Sequence, residues 1–217
     1  MKRLRLVCFL AVLTAAAAAC QSVPKRGPGR SAPAVAVEEA EAWRSVASPR
    51  DSAALDSLPA RWDRALAAGR AANLSRYIAG EGALLAPDTR LARAAPAPGS
   101  YRCRHIRPRA GARKWASSAE GFCYVGVESG QLSLATEIRG LRLGGYLWEL
   151  KGGDRLVFLG AAVAAGAKTA AAYGDDPSRD TAGYLERIGE FRYRLTLPEP
   201  PPGAGLILVE LVAAPRA

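Results

Sequence analysis

The sequence is poor in the residue types that carry most metal and acid–base chemistry. It has one histidine, His105, one methionine and four cysteines in 217 residues. A zinc site needs three or four ligands, usually with closely spaced cysteines or histidines, and a Ser-His-Asp arrangement needs a histidine beside a nucleophile. We therefore expect no metal, no cofactor and no catalytic residues, and we interpret His105 as a surface or packing residue of a strand.

Long apolar runs are also scarce, because the chain has only one, from Leu6 to Ala19, and it follows the basic start Met1–Arg5. This is the layout of a secretory signal peptide, which we assign to residues 1–19. The run is too short to cross a bilayer comfortably, since a spanning helix needs about 20 apolar residues. We therefore expect an exported protein without a spanning helix.

The signal segment ends at Ala17-Ala18-Ala19-Cys20, which resembles a bacterial lipobox. It predicts cleavage before Cys20 and acylation of that residue, and several acyl chains make a lasting anchor. Ordinary cleavage within the alanine run is the alternative. Gln21, rather than Asp, follows the cysteine, which in lipoproteins implies the outer membrane. We predict a bacterial cell-envelope location on the periplasmic side, with residues 20–36 forming the lipidated cysteine and a flexible tether rich in Pro, Gly and basic residues.

Positive charge exceeds negative charge over the chain as a whole. The formal net charge is +10, and loss of Lys2, Arg3 and Arg5 with the signal peptide leaves +7. A basic run without an acid contains Arg102, Arg104, Arg107, Arg109, Arg113 and Lys114. The first four predict contact with anionic envelope lipid or polysaccharide. A solvated strand edge is the alternative, and nucleic acid is not an expected partner of an exported chain.

Residues 37–217 are interpreted as a single globular domain, with helices in 37–80 and a β domain in 99–213. Ser48 followed by Pro49 is typical of a helix start. Apolar residues then follow at helical spacing, and we expect Pro59 to break this segment into two short helices. Gly69 predicts a helix end, and a weaker helix is expected over 73–79.

After Pro98 the hydrophobic period changes from helical to two, which is typical of strands. Eight strands are predicted, over Tyr101–Arg107, Phe122–Val127, Gln131–Ile138, Leu141–Leu150, Arg155–Gly160, Ala182–Ile188, Phe191–Leu197 and Leu206–Val212. Short links favour an antiparallel meander that closes, or partly closes, into a small barrel. The last strand is apolar on both faces, so one face should meet the barrel interior and the helices should cover the other. An Ala-rich piece, 161–172, is the one place after Pro98 where a helix remains possible.

Two further features bear on chemistry. Cys103 and Cys123 are the two cysteines of the globular part, and in an exported chain they predict a disulfide. Glu186 and Glu190 could serve a glycoside hydrolase if they flanked a cleft. Neighbouring arginines make cross-strand ion pairs the simpler interpretation of these two acids. The acidic loop Asp175, Asp176 and Asp180 is interpreted as a solvated turn.

Several motifs together resemble the bacterial family known as domain of unknown function 4893, over roughly Trp43 to Val212. The motifs are Gly80–Leu85, Tyr101–Arg104, Asp154–Gly160, Tyr173–Asp180, Gly183, Glu186–Gly189 and Arg192–Leu197. The resemblance implies a small exported single domain and agrees with the Cys103–Cys123 pair. It implies no catalytic residues.

The sequence thus favours a cell-envelope lipoprotein with a non-catalytic β-rich domain that binds a ligand or supports an assembly. Two alternatives remain open. One is a hydrolase that acts on an envelope polymer through carboxylates, and the other is a carrier of a small apolar ligand in the barrel interior. A polar cleft with convergent acids would favour the hydrolase, a wide apolar cavity would favour the carrier, and a filled interior would favour the binding module.

Overall fold

The computed structural model describes residues 41–200 and 205–214. Over these residues the chain is mainly β, with a closed eight-stranded antiparallel barrel, one additional short strand and helices that precede the barrel. The predicted fold class is therefore confirmed. The helices are α1 (Trp43–Val46), α2 (Pro49–Ala71) and α3 (Ser75–Glu81), and a 3₁₀ turn over Gly82–Leu84 follows α3 directly.

Helix α2 starts as predicted but does not break at Pro59. The Ser48 side chain accepts a hydrogen bond from the Asp51 amide, and Pro49 occupies the first helical position. Pro59 lies inside one continuous helix, so the predicted division into two helices is wrong. A proline inside a helix costs about 3 kcal/mol. Burial of Leu55, Leu58 and Trp62 on either side of it offsets that cost, since each large side chain contributes about 1.5–3 kcal/mol.

Gly69 does not end α2, contrary to the prediction. The helix continues to Ala71, and Asn73 has a φ of 64°, the left-handed conformation that commonly follows a helix end. Gly69 is instead a packing residue, because a Cβ there would lie 2.5 Å from the Trp115 ring. The glycine lets the 108–118 loop bring Trp115 directly against the helix.

The eight predicted strands are all present, within a few residues at their ends. The structure has β1 (Gly99–Arg107), β2 (Ala116–Ser117), β3 (Gly121–Glu128), β4 (Gln131–Ile138), β5 (Leu141–Glu149), β6 (Arg155–Ala162), β7 (Asp180–Gly189), β8 (Arg192–Pro198) and β9 (Leu206–Ala213). The additional strand β2 has two residues, too few to show an alternating pattern. The Ala-rich piece forms no helix: its first two residues end β6, and Gly166 has a φ of 78°, which a helix does not allow.

Strand order follows the chain from β3 to β9, and β1 closes the barrel by pairing with both β3 and β9. Cys103, for example, lies opposite Leu211 across the closing pair. Alternation then decides which side chains face inward. On β8, Tyr193, Leu195 and Leu197 belong to the interior cluster, and the residues between them point outward.

The domain has two apolar clusters on opposite sides of the barrel wall. The interior cluster includes Phe158, Leu185, Leu195, Val209 and Leu211, all essentially fully buried. The outer cluster joins α1 and α2 to the wall, and it includes Trp43, Leu55, Trp62, Val157 and Leu208. Ile207 and Val209 therefore face inward, while Leu206 and Leu208 face the helices. This confirms the expected two-sided burial of the last strand.

Candidate functional site

The barrel interior is filled by its own side chains. Inward-facing residues from all eight barrel strands form one continuous apolar cluster, in which Phe158, Leu185 and Leu195 have no exposed surface. An eight-stranded barrel is just wide enough for side chains to fill its interior. Because the interior is filled, the polar groups that could bind a ligand are those on the outer wall.

The predicted disulfide is present. Cys103 and Cys123 are bonded, with Cα atoms 5.9 Å apart, and both side chains are buried in the interior cluster. The bond joins neighbouring strands β1 and β3 on the inner face. The predicted lipidation site, Cys20, lies outside the described residues.

Two of the four predicted surface arginines lie on the outer face of β1, in different surroundings. Arg102 is exposed, and its cross-strand neighbours are Phe122 and Val212. Arg104 is half-buried and forms ion pairs with Glu81 at 2.6 Å and Glu210 at 2.7 Å. The hydrogen bond to Glu81 raises the pKa of Arg104, and the same bond lowers the pKa of Glu81. Arg104 therefore fastens α3 to the barrel wall.

The other two predicted arginines lie at one end of the barrel beside a buried acid. Arg109 is hydrogen-bonded to Glu199, and an Arg107 nitrogen lies 3.9 Å from the same carboxylate. Glu199 is 5% exposed, so this charge is largely removed from water. The basic run lacks acids in sequence, but the fold brings Glu81, Glu199 and Glu210 to it from distant segments.

His105 is buried in the barrel, where it packs beside Arg107, in agreement with a packing role. Its Nε2 accepts a hydrogen bond from the Arg107 Nε at 3.4 Å, and its Nδ1 has no partner among the described residues. Burial lowers the pKa of His105, and the nearby Arg107 charge lowers it further. The structure therefore favours the neutral imidazole.

This lowered pKa predicts loss of stability on mild acidification. The unfolded state takes up a proton near pH 6.5, while the folded state resists it, so the free energy of unfolding should fall as pH drops below about 6.5. Urea denaturation at pH 7.5 and 5.5 measures the effect, and His105→Gln should show a smaller decrease than the wild type. Equal decreases of the free energy of unfolding in the two proteins would contradict the assignment of this pH dependence to His105. Glu81 contributes in a separate, more acidic range, since its lowered pKa gives stability that is lost below about pH 4.3.

A cleft lined by charged and apolar residues lies on the outer wall, between α2 and strands β6–β8. This cleft of about 370 Å³ is walled by Leu58, Pro59 and Trp62 of α2. Its floor and rim contain Asp63, Asp88, Arg90, Arg155, Tyr184, Glu186, Arg194 and Thr196. Small-molecule sites typically have 300–1,000 Å³ and combine apolar walls with a few convergent polar groups. The cleft therefore has the size and lining of a binding site.

Arg194 and Glu186 form the buried base of the cleft. They are cross-strand neighbours, and the Arg194 Nη2 lies 2.5 Å from a Glu186 oxygen. Arg194 is completely buried and also donates to the carbonyl oxygens of Ala83 and Ala86, at 2.9 and 2.7 Å. Its guanidinium lies 4.6 Å from the centre of the Trp62 ring. Arg194 therefore holds the 3₁₀ segment and α2 against the barrel.

Two other buried polar atoms of the cleft have no hydrogen-bond partner among residues 41–200 and 205–214. They are the Thr196 hydroxyl and the Arg155 Nε. Thr196 is 3% exposed, and the Arg155 guanidinium lies 4.9 Å from the Tyr184 ring centre. The Arg155 Nε is 3.9 Å from the free oxygen of Glu186, beyond hydrogen-bond distance. Both donors are therefore buried beside the cleft and left unsatisfied by the described residues.

The acids considered for hydrolysis are not paired around this cleft. Glu186 is bonded to Arg194, as the ion-pair interpretation expects, and Glu190 is exposed at the β7–β8 turn. Burial raises the pKa of Asp180, the direction a general acid needs, but Asp180 does not line the cleft and accepts hydrogen bonds from the Gly174 amide. Asp176 accepts from Ser178 and pairs with Arg179, as a turn-capping residue does.

Two features of the described part of the chain bear on metals and membranes. No cluster of three or more His, Cys, Asp or Glu side chains there is arranged to hold a metal ion. Among the described helices, none has the length and apolarity needed to cross a bilayer.

Comparison with known proteins gives a family but no close relative of known activity. No curated protein and no solved structure matches the chain. A family model described as Domain of unknown function (DUF4893) matches residues 43–211, which span all three helices and nearly the whole barrel. The matched range includes the disulfide and every residue that lines the outer cleft. The chain belongs to the family of domain of unknown function 4893.

Proposed function

We propose that the protein is a bacterial cell-envelope lipoprotein whose barrel domain is a non-catalytic binding module, with its binding site in the outer cleft. The single observation that carries this proposal is the contrast between the two sides of the wall. The interior is filled by apolar side chains, while the cleft presents buried polar atoms that the described protein residues do not satisfy.

The two alternatives fit this arrangement less well. A carrier of an apolar ligand needs an open apolar interior, and Phe158, Leu185 and Leu195 occupy it. A hydrolase needs two carboxyl groups facing one bond across a cleft, one of them protonated near neutral pH. Glu186 is held in a buried ion pair with Arg194 at the cleft base, so this carboxylate is already engaged by the protein. We therefore place binding without turnover first and the hydrolase second, since Asp63 and Asp88 also line the cleft.

The proposed anchor predicts the fate of Cys20. Replacing Cys20 by serine should abolish acylation, and the protein should move from the membrane fraction to the soluble periplasmic fraction. Cys8→Ser is the matched control, because Cys8 lies within the proposed signal segment and should not affect retention. Globomycin should leave unprocessed precursor. Mass spectrometry that shows an unmodified mature N-terminus downstream of Cys20 would contradict the anchor.

Contact with the anionic envelope surface is a second part of the proposal. The mature chain would carry +7, and Arg102 is exposed on a face that also presents Phe122 and Tyr124. Arginine and aromatic side chains suit a lipid headgroup region. A lipid anchor would keep this face close to the membrane. The same charge attracts acidic envelope polysaccharide.

The test of the binding function uses the mature chain with purified peptidoglycan sacculi and with lipid vesicles of zwitterionic or anionic composition. We expect co-sedimentation with at least one of these, without soluble fragments released from the sacculi. Binding to anionic vesicles should weaken between 0.05 and 0.5 M salt, since screening shortens the range of the attraction (about 10 Å at 0.1 M). Soluble fragments that increase with time would support the hydrolase instead.

A further inference from the structure

We propose, on the basis of the binding function above, that the outer cleft takes a hydroxyl-rich, uncharged ring such as a sugar unit of an envelope glycan. The recognising groups are Thr196, Arg155 and Glu186 on the cleft floor, and the apolar wall is supplied by α2.

The hydrogen-bonding groups of the floor match a hydroxyl. The Arg155 Nε is a donor without a described partner, and the free Glu186 oxygen 3.9 Å away is an acceptor. An oxygen atom placed between them can lie about 2.8 Å from both, a normal hydrogen-bond length. A ligand hydroxyl accepts from the guanidinium and donates to the carboxylate at once. A phosphate or carboxylate oxygen could only accept, so it would face the Glu186 charge unpaired.

Thr196 adds a second contact on the same floor. Its side chain is 3% exposed, lines the cleft and has no hydrogen-bond partner among the described residues. A buried polar group left unsatisfied costs about 1–3 kcal/mol, and most buried polar groups in proteins are paired. A ligand group that bonds the Thr196 hydroxyl removes this cost. Ligand binding therefore gives a reason for a hydroxyl at this position, which packing alone does not.

The charges of the cleft favour a neutral ligand. The lining has three arginines, namely Arg90, Arg155 and Arg194, and three acids, namely Asp63, Asp88 and Glu186. Arg194 and Glu186 neutralise each other at the base. The positive excess of the whole chain is therefore absent from this site, and a strongly charged ligand gains little there.

The wall offers a sugar ring an apolar contact that comes chiefly from the exposed Pro59, because Leu58 and Trp62 are only 3% and 6% exposed. One side of the cleft is formed by Leu58, Pro59 and Trp62. It lies opposite the outward-facing polar residues of β7 and β8. A sugar ring has an apolar C–H surface and a rim of hydroxyls, so it can place the first against α2 and the second on the floor. Pro59, which does not break the helix, contributes an exposed apolar surface to this wall.

Calorimetric titration of the mature chain with maltose and N,N′-diacetylchitobiose, alongside glucose 6-phosphate and inorganic phosphate, tests the inference. We expect a neutral disaccharide to bind and inorganic phosphate not to bind. Thr196→Val should weaken the saccharide about tenfold, the loss of one hydrogen bond at a desolvated site. Arg155→Lys keeps the charge but removes the Nε donor, so it should weaken the saccharide as well.

Thr136→Val is the matched control. The Thr136 hydroxyl is buried on the inner face and bonded to the backbone of Leu141 and Leu143, each at 3.0 Å. Thr136→Val should therefore lower thermal stability and leave saccharide affinity unchanged. Thr196→Val should weaken saccharide affinity without lowering thermal stability. Equal loss of affinity in both variants would overturn the assigned role of Thr196.

The outcomes separate this inference from the proposed function. Retention of the chain on sacculi or vesicles, with no neutral saccharide bound at millimolar concentration, overturns the ligand chemistry and leaves the binding function standing. Phosphate binding that survives Arg155→Lys also overturns it, in favour of an anion site. Failure of the sedimentation assay and the titration together would contradict both.

Discussion

Replacing Arg194 by methionine should lower the free energy of unfolding by about 3–5 kcal/mol, because the buried Glu186 loses its hydrogen-bonded partner and keeps only Arg155 at 3.9 Å. Arg194 is fully buried, and its burial lowers the pKa of the guanidinium. The side chain also donates hydrogen bonds to the carbonyl oxygens of Ala83, Ala86 and Pro87, which lose this donor in the variant. Such a loss is a large part of the 5–15 kcal/mol that holds most domains folded. Urea denaturation followed by circular dichroism measures it.

Arg192→Met is the matched control for this experiment. Arg192 lies two residues away on the same strand, and it pairs with Glu210 while its side chain remains 32% exposed. Arg192 is partly exposed, and Glu210 keeps a second ion-pair partner in Arg104, so the control should lower the free energy of unfolding by much less than Arg194→Met. If Arg194→Met cannot be purified folded, Glu186→Gln provides a milder change that keeps an acceptor for Arg194. An Arg194→Met protein as stable as Arg192→Met would contradict the central role of the buried pair.

Loss of the Cys103–Cys123 disulfide should lower the free energy of unfolding by about 3 kcal/mol. The bond closes a loop with a sequence separation of 20 residues, and the loop-entropy relation gives a value of about 3 kcal/mol for that length. The two Ala substitutions also remove buried sulfur atoms from the interior cluster, which adds to the cost. The double variant Cys103→Ala/Cys123→Ala, compared with the oxidised wild type by guanidinium denaturation, measures the sum.

The single variant Cys103→Ala separates the two contributions. It breaks the same bond but removes only one sulfur atom, so it should account for most of the loss. Reduced wild-type protein, which keeps both sulfur atoms, should also be destabilised. A decrease below about 1 kcal/mol in the double variant would contradict a structural role for the disulfide.

The barrel could be predicted because its signal is local and repeated. Strand β8 alternates Tyr193, Leu195 and Leu197 with polar neighbours, and every predicted strand of this kind is present. Short turns between them leave the antiparallel meander as the natural topology. Closure between β1 and β9 also follows, since an eight-stranded meander can pair its first and last strands and leave no open edge.

The errors concern residues whose role depends on distant contacts. Pro59 and Gly69 are helix breakers by intrinsic preference, but tertiary packing against the barrel wall and Trp115 keeps both inside α2. The basic run around Arg104 and Arg109 has no acid nearby in sequence. The acids that pair with it come from α3, from the segment that follows β8 and from β9, which no local pattern reveals.

The cleft could be anticipated only in part. The outward positions of Glu186, Arg194 and Thr196 follow from strand alternation, and the ion pair was the favoured interpretation of Glu186. Arg155 and Tyr184 also point outward by strand alternation. Nothing in the sequence indicates that α2 crosses strands β6–β8 next to these residues. The concavity arises where a helix wall meets the outer face of three strands, and it depends on the packing angle of α2.

The most direct test of the account is a map of the bound ligand on the folded domain. In an NMR titration of the isotopically labelled mature chain with N,N′-diacetylchitobiose, we expect shift changes in α2, in residues 87–90 and on the outer face of β6–β8. The methyl groups of Leu185, Leu195 and Val209 in the interior should remain unchanged, and the sugar spectrum should show the disaccharide intact after prolonged incubation. Shift changes centred on those interior methyl groups, or conversion of the disaccharide to monosaccharide, would contradict a non-catalytic binding site on the outer wall.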